Sequence, residues 1–247
     1  MKGRIAVVTG GTRGIGKAIC DALLKEGAFV IAGYTNEANA QKWLDSQKEK
    51  GYGDKVDIIK GDVSNPDEVR AAIVEKIEKY GKIEILVNNA GITRDGMFKK
   101  MTYQQWSEVM NTNLGSLFSV SQPVINSMLE NGFGRVVNMS SVNAQKGQLG
   151  QVNYSAAKSG IHGFTKALAQ EVARKDITVN TVSPGYVATE MVMAIPEPVL
   201  EKIVAQVPKG RLATPEEVAS LVTFLCSDNA GFITGADYSI NGGLHMS

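Results

Sequence analysis

The sequence predicts an α/β protein built on a doubly wound parallel sheet of about seven strands with helices on both faces. Short, continuously apolar segments alternate with longer segments of helical periodicity along the whole chain. Strands that are buried on both faces have unbroken apolar sequences, and parallel neighbours need a crossover helix between them. No linker, repeat or low-complexity stretch interrupts the series, so we expect one domain over residues 1–247.

Each element has its own local signal. A helix over about 15–26 ends at Gly27, and a third helix begins at Ser64, Asn65 and Pro66, residue types that favour a helix N-terminus. The predicted strands are RIAVVTG, FVIAGY, VDIIKGDV, IEILVNNAG, GRVVNMSS, ITVNTVSPG and DYSINGG. The other predicted helices cover about 38–50, 103–131, 154–175 and 215–228.

The composition argues against several classes of protein. Lys and Arg number 26 against 25 Asp and Glu, so no basic field is available to hold nucleic acid or a membrane surface. The 2 cysteines and 2 histidines have no metal-ligand spacing. The first residues have the pattern of a strand rather than of a signal peptide, and no apolar stretch reaches membrane-spanning length, so we expect a cytoplasmic protein without a metal.

The glycine-rich turn TGGTRGIG, residues 9–16, joins the first strand to the first helix. Gly10, Gly14 and Gly16 allow the backbone to approach a pyrophosphate, with the helix N-terminal amides facing the anion. Their spacing is G-x-x-x-G-x-G rather than G-x-G-x-x-G. A turn of this kind at the first strand–helix junction predicts a Rossmann-type dinucleotide site.

The end of the second strand bears on the choice of cofactor. An acidic residue there accepts hydrogen bonds from the ribose of NAD, but this chain has Gly33, Tyr34, Thr35 and Asn36 in that region, and Glu37 is expected to begin the next helix. Arg13 in the glycine turn can face a 2′-phosphate instead. Together these features favour NADPH/NADP+.

Tyr154 and Lys158 in YSAAK are four residues apart, which places them on one face of a helix. Ser141 ends the GRVVNMSS strand, and the carboxyl ends of parallel strands face the ligand crevice. We therefore expect Ser141, Tyr154 and Lys158 to converge. Ser140 is the alternative to Ser141, but the spacing to Tyr154 favours the second serine.

The chain resembles the short-chain dehydrogenase/reductase family over its whole length. The matching motifs, in order, are TGGTRGIG, GDV, NNAG, TNLGS, SS, YSAAK and SPGYVAT. The resemblance implies that Tyr154 is the general acid and that Ser141 binds the substrate oxygen. It also implies that Lys158 lowers the pKa of Tyr154 and holds the nicotinamide ribose, and that Asn113 anchors a water in a proton relay to Lys158.

The same resemblance implies a set of cofactor-binding residues that follow the first, third, fourth and sixth strands, together with the catalytic pair. They are Gly10, Thr12, Arg13, Gly14, Ile15, Gly16, Asp62, Val63, Asn89, Ala90, Gly91, Tyr154, Lys158, Pro184, Gly185, Val187 and Thr189.

Within the family, the segment 140–171 and the terminal NGGLHMS resemble the acetoacetyl-CoA reductases of bacterial polyhydroxybutyrate synthesis. That likeness implies NADPH-dependent reduction of acetoacetyl-CoA to (R)-3-hydroxybutyryl-CoA, with a small-molecule acyl-CoA as the substrate. It also implies a homotetramer and a substrate lid over about 188–212. The implied substrate residues are Asp95, Ser141, Gln148, Gln151, Tyr154 and Tyr186.

Two alternatives stay open. The first is a 3-oxoacyl-acyl-carrier-protein reductase, which shares the catalytic residues but needs a basic surface for its acidic partner. The segment LENGFGR offers Glu130 and Asn131 where such a cluster is expected. The second is a non-catalytic NADP-binding sensor, which the complete catalytic set disfavours. The lid has Pro196 and Pro198 where a base could face CoA phosphates, which leaves Arg94, Lys99 or Lys100 as candidates.

Overall fold

The computed structural model describes residues 1–246 as a seven-stranded sheet in which every neighbouring pair is parallel. The strand order is β3-β2-β1-β4-β5-β6-β7, which confirms the predicted doubly wound α/β class. The strands are β1 (Ile5–Val8), β2 (Phe29–Tyr34), β3 (Val56–Lys60), β4 (Ile85–Asn88), β5 (Gly134–Met139), β6 (Ile177–Pro184) and β7 (Asp237–Ile240).

Helices cover both faces of the sheet. The α-helices are α1 (Gly14–Lys25), α2 (Glu37–Glu49), α3 (Pro66–Tyr80), α4 (Tyr103–Met110), α5 (Ser116–Asn131), α6 (Val142–Lys146), α7 (Val152–Val172), α8 (Glu190–Met193), α9 (Glu197–Ala205) and α10 (Pro215–Leu225). A π-helical turn, Asn111–Gly115, joins α4 to α5. Short 3-10 helices occupy Gly53–Lys55, Phe98–Lys100, Ala173–Lys175 and Asp228–Ala230.

The hydrophobic core consists of two layers that share the strands. Ala6 and Val8 of β1 point into the layer under α1, α2 and α10, whereas Val7 points into the layer under α3, α5 and α7. Leu86 of β4 faces the second layer, and its neighbours Ile85 and Val87 face the first. Alternate residues thus enter opposite layers, which is why these strands are apolar throughout.

The predicted helix over 103–131 is wrong in one respect, because it is not a continuous α-helix. Asn111–Gly115 adopts the wider π-helical turn between α4 and α5. An extra residue in a turn changes the face on which the following side chains lie, and such turns are frequent at functional sites. Here the turn contains Asn113, one of the predicted catalytic residues.

Several elements were not expected from the sequence. The short helix α6 begins directly after Ser141, which is its N-cap residue. Helices α8 and α9 lie in the segment predicted as a substrate lid, and neither contains a buried residue. The helix predicted over 154–175 begins earlier, at Val152, and its last predicted turn is the 3-10 helix Ala173–Lys175.

Candidate active site

Ser141 lies just after the carboxyl end of β5, and Tyr154 lies near the start of α7. Ser141 has an extended backbone with φ −165°, and its Oγ accepts a hydrogen bond from the backbone N–H of Asn143 at 3.2 Å. Tyr154 stands in the first turn of α7. Burial raises the pKa of Tyr154, the nearby hydroxyl of Ser141 lowers it, and the Asp95 carboxylate raises it further. The structure therefore brings Ser141 and Tyr154 together.

Lys158 lies one turn further along α7 and is only 4% exposed. Its Nζ donates to the carbonyl oxygen of Met139 at 2.6 Å and lies 5.7 Å from the centre of the Tyr154 ring. Burial lowers the pKa of Lys158 from 10.5 to about 8. The ammonium is thus held under the end of β5, directed at a backbone carbonyl.

The prediction that Lys158 lowers the pKa of Tyr154 is wrong for this geometry. The pKa of Tyr154 is raised, because removal of the phenol from water outweighs the opposing effect of the Ser141 hydroxyl. The Nζ of Lys158 is bonded to the carbonyl oxygen of Met139 rather than to the phenolic oxygen. At neutral pH the phenol is therefore protonated.

Asn113 is bound to the loop that follows β4. Its Oδ1 accepts from the N–H of Ile92 at 2.8 Å, and its Nδ2 donates to the carbonyl of the same residue at 2.9 Å. A Cβ placed on Gly91 would lie 3.1 Å from Asn113 Oδ1 and 3.5 Å from Lys158 Nζ. Asn113, Gly91 and Lys158 therefore meet, and the missing side chain at residue 91 leaves room between them.

The glycine-rich turn is held against the end of β4. A Cβ on Gly16 would lie 2.1 Å from the carbonyl oxygen of Gly10, so only glycine fits there. Gly10 has a φ of 62°, in the region that favours glycine. The Thr9 hydroxyl accepts hydrogen bonds from the backbone N–H groups of Asn89 and Ala90 at 2.9 and 3.0 Å. These contacts fix the NNAG segment beside the turn.

The remaining residues of the predicted cofactor site also follow strand ends. Gly14 faces Thr189, whose methyl carbon would lie 3.7 Å from an added Cβ. Asp62 accepts from the N–H and hydroxyl of Ser64, at 2.9 and 2.7 Å, within its own turn. Pro184 is the last residue of β6, and the segments that contain Thr12, Arg13, Ile15, Asp62, Val63, Gly185, Val187 and Thr189 follow β1, β3 and β6.

The first carboxylate after β2 accepts a hydrogen bond from a neighbouring tyrosine. Glu37 is the first residue of α2, as predicted, and its Oε2 accepts from the hydroxyl of Tyr34 at 3.0 Å. Arg13, by contrast, is exposed and makes no ion pair among residues 1–246. Of the two charged residues considered for cofactor choice, the arginine is the one that lacks a partner in the described chain.

The predicted substrate residues fall into two groups. Gln151 donates through Nε2 to the Asp95 carboxylate at 2.9 Å, and the N–H of Gly96 donates to the carbonyl of Gly150, so the two loops are joined. Gln148 instead accepts from Lys146 Nζ at 2.7 Å. Tyr186 follows β6 and is partly buried, which raises its pKa.

Four residues of the site were not identified from the sequence. Thr9 joins β1 to the NNAG segment, and Asn143 donates to Gln151. Asn153 donates to the carbonyl oxygens of Arg94 and Gln105, which fixes the start of α7. His162 contacts the hydroxyl of Ser140, which donates to the carbonyl of Lys158. Asn143 could have been suspected, because it lies two residues after Ser141.

Residues 10–245 match the protein family described as enoyl-(acyl carrier protein) reductase. The chain is 55% identical to the acetoacetyl-CoA reductase of Cupriavidus necator over the full length of both proteins. It is 53% identical to that of Rhizobium meliloti over 99% of both chains. It is 44% identical to a 3-oxoacyl-acyl-carrier-protein reductase of Vibrio cholerae, over 100% of this chain and 99% of the other.

The fold and the matches together define the class of protein: an oxidoreductase that uses a nicotinamide cofactor. The chain belongs to the short-chain dehydrogenase/reductase family.

Two further properties concern the described part of the chain. Within residues 1–246, no helix combines the length and the apolar character that crossing a bilayer requires. The same residues contain no cluster of three or more His, Cys, Asp and Glu side chains that could hold a metal ion.

Proposed function

We propose that this protein reduces acetoacetyl-CoA to (R)-3-hydroxybutyryl-CoA with NADPH, as a step in polyhydroxybutyrate synthesis. The observation that carries the proposal is 55% identity over its whole length to an acetoacetyl-CoA reductase, together with a complete catalytic set at one strand end. The description of the matching family names an enoyl reductase. The full-length relatives indicate the substrate more specifically than this description, because the description applies to a broader group of sequences.

Tyr154 is the proton donor in this proposal. The bound cofactor supplies a hydride to the carbonyl carbon of the substrate. The Tyr154 hydroxyl gives its proton to the carbonyl oxygen, and the Ser141 hydroxyl donates a hydrogen bond to the same oxygen. The raised pKa of Tyr154 suits this direction of reaction, because it keeps the donor protonated at neutral pH.

Lys158 and Asn113 support the donor. Lys158 Nζ lies beside the space left by Gly91, where we propose that it holds the nicotinamide ribose. A water relay from Asn113 to Lys158 would return a proton to Tyr154. Because the side-chain amide of Asn113 is bound to Ile92, the main chain of the π-helical turn is the group left to hold that water.

The preference for NADPH rests on Arg13 and on the end of β2. Arg13 is exposed at the start of α1, where a planar, permanently charged group can face a 2′-phosphate. The nearby carboxylate of Glu37 is engaged by Tyr34 rather than free for a ribose hydroxyl. The proposed cofactor site is made of Gly10, Thr12, Arg13, Gly14, Ile15, Gly16, Asp62, Val63, Asn89, Ala90, Gly91, Tyr154, Lys158, Pro184, Gly185, Val187 and Thr189.

The substrate is proposed to lie between α6, the loop before α7 and the lid over about 188–212. Asp95, Gln151 and Tyr186 line this side together with Ser141 and Tyr154. For Gln148 to contact a thioester, it has to exchange its hydrogen bond with Lys146. For the CoA phosphates, Lys99 and Lys100 are better candidates than Arg94, which pairs with Glu108 at 2.6 Å.

An acyl-carrier-protein thioester is the second candidate substrate. One observation argues against it and another supports it. Arg135, the basic residue of the LENGFGR segment, is buried and pairs with Asp176, so it is not available to bind a carrier protein. Arg174 and Lys175, which follow α7 and precede β6, are however exposed cations at the same end of the sheet, where β5 and β6 begin. The preference for CoA therefore depends on whether this pair is sufficient to bind an acidic protein.

We also propose that the protein is a homotetramer and is cytoplasmic. Exposed aromatic side chains on α4 and α5, Tyr103 at 82% and Phe118 at 60%, support subunit contacts through the 103–131 segment. The outer edge of β7 has no neighbouring strand within the described residues and is a second candidate surface, with α7 a third. Light scattering coupled to gel filtration would test the tetramer, and a monomer at micromolar concentration would contradict it.

The proposed function is tested by product analysis. The purified protein is incubated with acetoacetyl-CoA and NADPH, and the acyl product is hydrolysed and separated on a chiral column. We expect 3-hydroxybutyrate of R configuration, formed in proportion to the NADPH consumed. A product of S configuration, or no turnover, would contradict the proposal.

A further inference from the structure

Asn143 is the hydrogen-bonding link between the catalytic serine and the substrate loop. Its backbone N–H donates to Ser141 Oγ at 3.2 Å, and its side-chain Nδ2 donates to Gln151 Oε1 at 2.9 Å. Gln151 in turn donates through Nε2 to the Asp95 carboxylate at 2.9 Å. A chain of polar groups therefore runs from Ser141 through Asn143 and Gln151 to Asp95.

The direction of this chain is fixed by its last member. A carboxylate only accepts hydrogen bonds, so Gln151 must turn its NH₂ group toward Asp95. The oxygen of Gln151 then faces Asn143, which must supply the donor. Asn143 Nδ2 donates to Gln151, and Gln151 Nε2 donates to Asp95. A 180° rotation of either side-chain amide would therefore place two donors or two acceptors opposite each other.

Folding stability alone does not explain an asparagine at position 143. The residue is 9% exposed, and its Oδ1 is buried with no hydrogen-bond partner in the described chain. A buried acceptor without a partner costs folding free energy, which an apolar side chain would avoid. What an asparagine supplies here, and an apolar residue does not, is the N–H that holds Gln151 by its oxygen.

We propose that Asn143 is a positioning residue that sets which end of Gln151 faces the substrate. With its oxygen held by Asn143 and one N–H bound to Asp95, Gln151 keeps its second N–H free to donate. A short 3-oxoacyl thioester has an acceptor oxygen at both its keto and thioester carbons, and this N–H would bind the one that Ser141 and Tyr154 do not. The inference rests on the proposed function.

The test is a double-mutant cycle between Asn143 and Gln151, with acetoacetyl-CoA varied at saturating NADPH. We expect Asn143→Ala to raise KM roughly tenfold, the size of one lost hydrogen bond to a positioned group, with kcat within about threefold. Because Asn143 acts only through Gln151, adding Asn143→Ala to Gln151→Ala should cause no further loss. Gln145→Ala is the control, because that amide on α6 faces Asp237 and Ser239 instead.

Replacing the donor at residue 143 with an acceptor provides an independent check. In Asn143→Asp the new carboxylate only accepts, so it competes with Asp95 for the amide of Gln151, and KM should rise at least as much as in Asn143→Ala. Additive losses in the double variant, or unchanged KM in both Asn143 variants, would overturn the proposal. If Asn143→Ala does not fold, the same cycle is run with Asn143→Ser.

Failure of the cycle and failure of the proposed function give different results. If the unmodified protein does not reduce acetoacetyl-CoA, the proposed function is wrong, and the cycle is measured with the 3-oxoacyl thioester that it does reduce. If the unmodified protein turns over and the losses are additive, only the role of Asn143 is wrong. NADPH affinity, measured by fluorescence titration, should be the same in every variant.

Discussion

The two sides of the substrate cleft differ in how firmly they are built. On the catalytic side, Lys158 and Asn153 are buried, and each donates to backbone carbonyls of neighbouring segments. On the lid side, α8 and α9 bury no residue, and Met191 and Met193 are 69% and 56% exposed. One side is fixed by the core, whereas the other is attached to it through few buried contacts.

This difference assigns separate tasks to the two sides. Segments with few buried contacts open at low free-energy cost, and the elements that move during binding are drawn from them. The catalytic side has no such freedom, because its groups are anchored by strand β5 and helix α7. Changes to the reacting groups Ser141 and Tyr154 should therefore affect kcat, and changes in the lid should affect KM for the acyl substrate.

The largest expected effect is that of Tyr154→Phe. The substitution keeps the ring and removes the proton donor, so kcat for acetoacetyl-CoA should fall about 10²–10⁴-fold while NADPH still binds. Stopped-flow and fluorescence titration measure the two quantities. Tyr103→Phe removes an exposed phenol in α4 and should change neither. Near-normal kcat in the Tyr154→Phe enzyme would contradict the role of Tyr154.

Lys158→Met should separate catalysis from stability. Turnover and NADPH affinity should both fall, yet the variant should unfold at a higher temperature at pH 7. Burial holds the pKa of Lys158 at about 8, whereas the unfolded chain keeps the proton up to about 10.5. Below pH 8 the buried cation therefore costs folding free energy, roughly 1–3 kcal/mol after allowance for its lost bond with Met139.

The pH dependence gives the sign of this effect. As pH rises from about 8 to 10.5, the folded protein has already released the proton and the unfolded chain has not, so the cost disappears. The gain in Tm for Lys158→Met should accordingly be present at pH 7 and much smaller at pH 10. A variant that is less stable than the parent at pH 7 would show that the ammonium stabilises the fold.

Arg13→Ala should change cofactor choice without changing the chemistry. Loss of a charge-assisted contact with the 2′-phosphate should reduce kcat/KM for NADPH roughly 10–100-fold and leave that for NADH as it was. Lys25→Ala, at the other end of α1, serves as the control and should affect neither cofactor. An equal loss with both cofactors would mean that Arg13 holds a part that they share.

The smallest effect is expected in the lid. Met191→Ser and Met193→Ser remove apolar surface that would be covered on closure over the acyl group, so KM for acetoacetyl-CoA should rise about two- to tenfold. The value of kcat should stay within twofold, since Ser141 and Tyr154 are untouched. A fall in kcat without a change in KM would reverse the proposed division of tasks.

The sequence was informative where a backbone constraint dictates the residue type. The turn at residues 9–16 needs glycine at Gly16 because a Cβ would meet the carbonyl of Gly10, and such constraints leave a readable pattern. The parallel, doubly wound sheet was likewise predictable from alternating apolar and amphipathic segments. The side-chain contacts of the substrate residues were not predictable from the sequence. Gln151 contacts Asp95, 56 residues away, and Gln148 contacts the neighbouring Lys146.

The π-helical turn and the raised pKa of Tyr154 could not be predicted from the sequence, and for the same reason. Residues 103–131 have ordinary helical periodicity, and the extra residue in the turn is accompanied by hydrogen bonds of Asn113 with Ile92, far away in sequence. The spacing of Tyr154 and Lys158 placed them on one face, but burial and the partner of each group determined their pKa values. Both properties depend on tertiary contacts.

The central claim, that a free CoA thioester is the substrate, is tested most directly by one comparison. The kcat/KM values for acetoacetyl-CoA and acetoacetyl-acyl-carrier protein are measured side by side with NADPH, at low and at moderate salt. We expect the CoA thioester to be preferred at both, because Arg135 is buried and the LENGFGR segment presents Glu130 and Asn131 in place of a basic cluster. A higher value for the carrier-protein thioester, falling steeply with salt, would contradict the account and implicate Arg174 and Lys175 in docking.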